Sequence, residues 1–165
     1  MPRQEPTTIT ILGANAVVEN ALAQLLTGEG YATSVVKISP LRGAQGEEMP
    51  LGVGAADIVV LAPSLSTSEC EAFLAARRRS RSSQTTRHRP ATSSSASPLI
   101  PVIVLCSPMR EPPPPLEEEE AARSVAWPTT RERLVAEIED LLLEARFPEH
   151  REKSFRRRRE GEIPR

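Results

Sequence analysis

Side chains that carry most acid–base and redox chemistry are scarce in this chain. Its 165 residues include two histidines, two cysteines, two aspartates and two lysines. His88 lies in a Ser/Arg-rich stretch and His150 lies near the carboxyl terminus, so neither is held in place as a general base. No nucleophile elbow and no pair of carboxylates follows a predicted strand. We therefore predict no enzyme activity and no catalytic residue.

The two cysteines exclude further classes of site. Cys70 and Cys106 have no neighbour at the spacing of a metal site or a redox motif. Both are interpreted as small core residues, and we expect no bound metal and no cofactor.

Long apolar runs are also missing. None approaches the ~20 residues that a membrane-spanning helix needs, and residues 1–8 lack a basic segment followed by an apolar one. We therefore predict a cytoplasmic protein without membrane contact.

The net charge of −1 conceals two basic, aromatic-poor segments. Residues 77–89 contain six arginines and no acidic residue, and residues 151–165 contain seven basic and three acidic residues, so the remainder is acidic. Such segments contact either the acidic body or an anionic partner, and with few aromatic neighbours they bind phosphates without reading sequence. The candidates for weak, accessory contact with nucleic acid are Arg77, Arg78, Arg79, Arg81, Arg156, Arg157, Arg158 and Arg159.

Five short apolar runs predict β-strands, at residues 8–12, 32–36, 57–61, 101–106 and 123–127. The third and fourth are almost continuously apolar, which is typical of strands buried on both faces of a parallel sheet. Apolar residues at helical spacing predict three helices between and after them, at residues 16–29, 66–78 and 129–146. The alternation predicts an α/β domain, a doubly wound five-stranded parallel sheet with helices on both faces.

Details of the three helices follow from their ends and faces. Ser66 with Glu69, and Thr129 with Glu132, have the spacing of capping boxes. The predicted buried face of the first helix consists of Val17, Val18, Ala21, Leu22, Leu25 and Leu26.

The domain is predicted to occupy residues 7–147, between an N-terminal tail at 1–6 and a basic, disordered tail at 148–165. Within it, residues 77–98 are rich in Ser, Thr and Arg and contain no aliphatic residue larger than alanine. Such a stretch buries too little apolar surface to order itself, so we predict a disordered insertion there.

The succession of strands and helices resembles the receiver domain of two-component response regulators. The most specific stretches are residues 9–12, 21–31, 57–61 and 101–105, and the resemblance covers residues 7–146 apart from the insertion. It implies a flavodoxin-like sheet of order 2-1-3-4-5 with its site at the carboxyl ends of strands one, three, four and five.

At each position that the family uses for chemistry, this chain has an unsuitable residue. The affected positions are the Mg²⁺-binding acidic pair, the phosphoacceptor aspartate, the switch Ser/Thr and the lysine, which match Gly13 and Ala14, Ala62, Cys106 and Trp127. The proline that follows the lysine is kept as Pro128. The resemblance therefore implies a degenerate receiver with vestigial site positions.

Two further interpretations stay open. The turn at residues 13–18 invites a dinucleotide-binding interpretation, although Asn15 and Val18 stand where that motif needs glycines. Trp127 either plugs the vacated pocket, which we favour, or is an exposed anchor for a partner.

We predict a phosphorylation-independent receiver-like signalling domain that acts by protein–protein interaction in a two-component-type pathway. It would bind a protein partner, or itself, through the last strand and helix. The interface candidates are Trp127, Pro128, Arg131, Val135 and Glu139. The alternatives are a small-ligand or nucleotide-binding α/β domain and nucleic-acid tethering through the Arg-rich segments.

Overall fold

The computed structural model describes residues 6–38, 53–85, 100–107, 116 and 121–147, with the side chains of residues 80–85 excepted. The elements in chain order are β1 (Thr8–Gly13), α1 (Ala16–Gly28), β2 (Ala32–Lys37), a 3-10 helix (Val53–Ala55), β3 (Ile58–Leu61), α2 (Thr67–Thr85), β4 (Val102–Cys106), β5 (Ala122–Ala126) and α3 (Arg131–Arg146). All five predicted strands are confirmed to within one residue at each end.

The strands form one parallel sheet in the order β2-β1-β3-β4-β5. Every residue of β3 is buried, because helices cover the sheet on both sides of this central strand. The edge strand β5 instead alternates between buried and exposed residues. The flavodoxin-like, doubly wound fold is therefore confirmed. Its parallel strands bring the carboxyl ends of β1, β3, β4 and β5 to one edge, called here the carboxyl edge.

Two core layers lie on opposite faces of the sheet. On one face, α1 and α3 bury Leu22, Leu26, Leu134, Ile138 and Leu141 against the strands. On the other, Cys70, Phe73 and Leu74 of α2 pack with Val53 of the 3-10 helix. In the described part of the chain, no helix combines the length and apolar character needed to cross a membrane.

Helix α1 faces the sheet with a different set of residues from the one predicted. Val17 is 77% exposed, whereas Glu19 is completely buried together with Leu22 and Leu26. Residues 19, 22 and 26 follow one another at helical spacing, so they form one continuous stripe. The prediction that Val17 is a core residue is wrong, because it placed the stripe on apolar residues alone.

The ends of the other helices confirm one capping box and correct the other. At α2, the Ser66 amide donates to Glu69 Oε2 at 2.8 Å, and the Glu69 amide donates to Ser66 Oγ at 3.3 Å. At α3, the cap is Thr130, whose side chain accepts from the Arg133 amide at 3.3 Å. The prediction of Thr129 was wrong by one residue.

Helix α2 is longer than predicted and continues through Thr85. Residues 77–85 are therefore helical, and the prediction of disorder from residue 77 onward is wrong for them. Arginine has a high helix propensity, which continues the helix where apolar residues end. Several predicted segments lie outside the described residues. They are residues 86–98 of the insertion, residues 1–5 of the N-terminal tail and residues 148–165 of the basic tail.

Candidate functional site

The residues that sequence analysis predicted as vestigial site positions stand at the carboxyl edge. Gly13 is the last residue of β1, and Ala62 follows β3 with its amide donating to the Leu12 carbonyl at 2.8 Å. Trp127 follows β5, and its amide donates to the carbonyl of Cys106 at 2.7 Å. These residues therefore lie at the carboxyl ends of strands of one sheet.

The side chains at these positions are mostly apolar. Ala62 is buried in the core layer formed with α1 and α3, and Trp127 is half-buried against the same layer. The partly exposed Cys106 places its Sγ 3.2 Å from Ser124 Oγ. Trp127 thus has one part in contact with the core and another in solvent, which is compatible with both the plug and the anchor interpretation.

A carboxylate that sequence analysis missed lies at the same edge. Glu19, in the first turns of α1, is 0% exposed. Its Oε1 accepts from the Asn15 amide and from Ser64 Oγ, both at 2.7 Å. Ser64 Oγ in turn accepts from the Ala14 amide at 3.0 Å. The space beside Gly13 is therefore filled by the hydrogen-bonded carboxylate of Glu19.

The N-terminus of α1 has little capacity left for an anion. The Asn15 side chain accepts from the Val17 amide at 3.0 Å, and the Ala14 and Asn15 amides are bound to Ser64 and Glu19. Free amides at a helix N-terminus attract phosphate groups, but bound amides beside a carboxylate do not. Within the described residues, no group of three His, Cys, Asp or Glu side chains is placed to hold a metal ion.

The two cysteines pack on the same core layer but differ in exposure. Both are free thiols, and Cys70 is buried in the α2 core layer as predicted. Burial, and secondarily the neighbouring Cys106, Glu69 and Glu71, raises the pKa of Cys70 from 9.0 to about 12. The stability that depends on its protonated thiol is present below pH 9 and is lost as the pH rises toward about 12.

Thiol labelling is expected to distinguish the two cysteines. In the folded chain at mildly alkaline pH, iodoacetamide should modify Cys106 first, and Cys70 only after unfolding, because Cys70 is covered and its thiolate is scarce. Mass spectrometry counts the modified sites with and without denaturant. Equal labelling of both sites in the folded chain would contradict this assignment.

The face formed by β5 and α3, called here the β5–α3 face, is held by a buried arginine. Arg123 donates to Glu137 Oε2 at 2.9 Å and to Glu144 Oε1 at 2.5 Å, and Asp140 lies 3.7 Å away. The Arg123 side chain is only 7% exposed, whereas that of Asp140 is 70% exposed. The first two contacts therefore orient α3 on the edge strand, and the third is largely screened by solvent.

The predicted interface residues lie on or beside this face. Pro128, Arg131 and Glu139 are exposed, while Trp127 and Val135 are half-buried. Arg131 forms an ion pair with Glu29 at the end of α1. Burial raises the pKa of Tyr31, with smaller contributions from the carboxylates of Glu139 and Glu29. The candidates thus extend toward the C-terminal end of α1.

Among the predicted polyanion contacts, the arginines that the structure describes differ in exposure. Arg77 is buried, and its Nη2 donates to the carbonyl of Ile100 at 2.7 Å, so it supports the fold and is removed from the exposed candidates. Arg78 and Arg79 are exposed on α2. The side chains of Arg81, Arg156, Arg157, Arg158 and Arg159 lie outside the described residues.

Comparison with known proteins finds matches among solved structures. No protein-family model matches this chain, and no curated protein matches it. Full-length FixJ from B. japonicum is 15% identical with a TM-score of 0.49; the alignment covers 89% of this chain, which spans 63% of the length of FixJ. A response regulator receiver protein from Sinorhizobium medicae WSM419 is 17% identical with a TM-score of 0.48, covering 86% of this chain and 98% of that one.

Proposed function

We propose that this chain is a receiver-like regulatory domain that acts by protein–protein contact, without enzyme activity and without phosphorylation of its own residues. The proposal rests on the carboxyl edge. Ala62 has no oxygen to accept a phosphoryl group, and the buried Glu19 carboxylate fills the space beside Gly13 and Ala14. This arrangement supports a domain whose surface does not depend on a phosphorylation cycle.

The chemistry of phosphoryl transfer explains why the edge is unsuitable. Transfer depends on positioning a nucleophile against the donor and on cations that neutralise the developing charge. The Glu19 carboxylate lies beside Gly13, but it is completely buried and its Oε1 already accepts two hydrogen bonds. Glu19 is therefore not an open nucleophile, and among the described residues no group of three His, Cys, Asp or Glu side chains is placed to hold a hard cation.

A phosphodonor experiment tests this part of the proposal. The full chain is incubated with acetyl phosphate and Mg²⁺ and analysed by intact mass. We expect no phosphorylated species, for the reasons above. An established phosphorylatable receiver serves as the positive control for the reagents. Phosphorylation of this chain, mapped to any residue at the carboxyl edge, would overturn the proposal.

The proposed contact surface is the β5–α3 face. Its support is the combination of a fixed frame, supplied by Arg123 with Glu137 and Glu144, and a mixed apolar and charged surface at Val135 and Glu139. Rigid frames with partly exposed apolar residues favour specific contact, because little side-chain order is lost on binding. The proposed partner is either another protein or a second copy of this chain.

A small-ligand or nucleotide sensor is the alternative for the carboxyl edge. Ligand binding to the folded state alone raises the melting temperature, with about 2.7 kcal/mol of stabilisation at a hundredfold excess over Kd. Because the Ala14, Asn15 and Val17 amides are bound and the Glu19 carboxyl group lies beside them, we expect no shift with ATP, GTP or NAD. A saturable shift that is lost on substitution of an α1 N-terminal residue would favour the sensor instead.

Tethering to nucleic acid is the third proposal, and the exposure of Arg78 and Arg79 on α2 supports it. Counterion release makes such binding fall steeply with salt. Comparison of the full chain with a variant that carries Arg78→Ser and Arg79→Ser and lacks residues 151–165 would measure this contribution, because Arg77 and its bond to Ile100 are kept.

A further inference from the structure

We infer that Gly13, Glu19 and Ser64 form an internal latch in which Glu19 is a positioning residue. The latch holds the turn between β1 and α1 (residues 14–15) against the loop between β3 and α2 (residues 62–66). It closes the carboxyl edge from within and fixes one arrangement of the two loops. This inference does not depend on the proposed role in protein contact.

Space is the first argument. A Cβ atom added to Gly13 would lie 2.0 Å from Glu19 Oε1, 2.4 Å from Cδ and 2.6 Å from Cγ. All three distances are far inside ordinary van der Waals contact. Gly13 does not have a positive φ, in contrast to Gly30 at φ 92°. Glycine is therefore required at residue 13 to leave room for a carboxylate, and not for its backbone freedom.

The hydrogen bonds are the second argument. Glu19 Oε1 bonds to the Asn15 amide in its own turn and to Ser64 Oγ, 45 residues away in sequence. Ser64 Oγ also accepts from the Ala14 amide, so the three contacts close a ring between the two loops. These contacts lie in a buried site, where hydrogen bonds are electrostatically stronger than in water. A helix cap alone would not need the bond to Ser64.

The second carboxylate oxygen is the third argument. Glu19 Oε2 is buried and has no hydrogen-bond partner in the part of the chain that the structure describes. A buried polar atom without a partner opposes the folded arrangement. The hydrogen bonds of Oε1 stabilise the closed arrangement of the two loops, whereas the unpartnered Oε2 destabilises it. Substitution of Glu19 should therefore change the opening of the two loops more than the free energy of unfolding of the whole domain.

Hydrogen exchange of the full chain tests the latch. In Glu19→Ala, amides in residues 13–17 and in residues 62–66 should both exchange about 10- to 100-fold faster, the factor for leaving buried hydrogen-bonding groups without a partner. Amides of β4 serve as the internal reference and should not change. Glu19→Gln keeps a carbonyl oxygen at this place and should restore most of the protection. Faster exchange in residues 13–17 alone would reduce Glu19 to an ordinary cap and overturn the inference.

A double-mutant cycle tests the coupling between Gly13 and Glu19. Gly13→Ala should displace the carboxylate and open both segments as Glu19→Ala does. In the Glu19→Ala background, Gly13→Ala should add no more than about twofold, because the obstructing atoms are gone. If the double variant instead shows the product of the two separate increases in exchange rate, the inference is overturned.

If the Gly13→Ala variant does not fold, Ser64→Ala tests the latch in its place. It removes the bond that crosses between the loops, and it should speed exchange in both segments. Ser66→Ala in the same loop, which affects only the α2 cap, is the matched control and should leave residues 13–17 unchanged. If Ser64→Ala leaves residues 13–17 as protected as in the natural chain, the latch is refuted.

Discussion

Replacing Arg123 by alanine is expected to lower the free energy of unfolding by about 3 kcal/mol. Arg123 is buried between β5 and α3, and it is the cation shared by Glu137 and Glu144. Removing it leaves the Glu137 and Glu144 carboxylates, which are partly buried, without the cation that they share. This loss costs far more than the loss of an exposed ion pair. Urea denaturation of the full chain, followed by circular dichroism, measures the change.

Two variants separate the ion pair from general effects on α3. Arg133→Ala removes an exposed arginine of the first turn and should change stability by less than about 0.5 kcal/mol. The triple variant Arg123→Met, Glu137→Gln, Glu144→Gln removes all three charges at once and should recover most of the lost stability. A loss below about 1 kcal/mol for Arg123→Ala would show that the frame of the β5–α3 face does not depend on this residue.

Replacing Ile138 by alanine is expected to cost about 3–4 kcal/mol. Ile138 is fully buried in the core layer between α3 and the sheet, so the change creates a cavity in addition to losing apolar burial. Thermal and urea unfolding should both report the loss. A cost below about 1 kcal/mol would mean that α3 repacks freely on the sheet.

The same helix offers a comparison between stability and contact. Val135 is half-buried and Glu139 is exposed, and their i, i+4 spacing places them next to each other on one side of the core residue Ile138. Val135→Ser with Glu139→Arg should cost about 1 kcal/mol or less, yet it should abolish contact if the β5–α3 face binds. Sedimentation velocity measures self-association, and capture by immobilised full chain measures partner binding. Equal binding by the double variant and the natural chain would place the contact elsewhere.

The strands could be predicted from sequence because their apolar runs are short and well separated. The run at β3 is apolar at each position, which predicts cover on both faces, whereas the edge position of β5 follows only from the resemblance, because one of its two buried residues is Arg123. Parallel pairing with helical crossovers then leaves few topologies. The full length of α2 was harder to predict, because the arginines continue the helix without apolar residues at helical spacing.

Glu19 could not be found by the same reasoning. A search for apolar residues at helical spacing assigns a glutamate to the solvent side, although Glu19, Leu22 and Leu26 keep the spacing of one stripe. The sequence signal is a glycine at the end of β1 with an acidic residue six positions later. Glycine is common in turns and glutamate is common on exposed helix surfaces, so this pair by itself predicts no contact. The packing of Glu19 against Gly13 in the folded chain shows that one makes room for the other.

The bond from Arg77 to the Ile100 carbonyl has a consequence for chain length. It joins the middle of α2 to a residue just before β4, 23 positions apart in sequence. When two such anchors hold, each doubling of the length of chain between them costs about 0.6 kcal/mol through the entropy of closing a loop. The connection between α2 and β4 is thus a place where this fold should accept an added peptide, such as a fluorescent or affinity sequence, at a small thermodynamic cost.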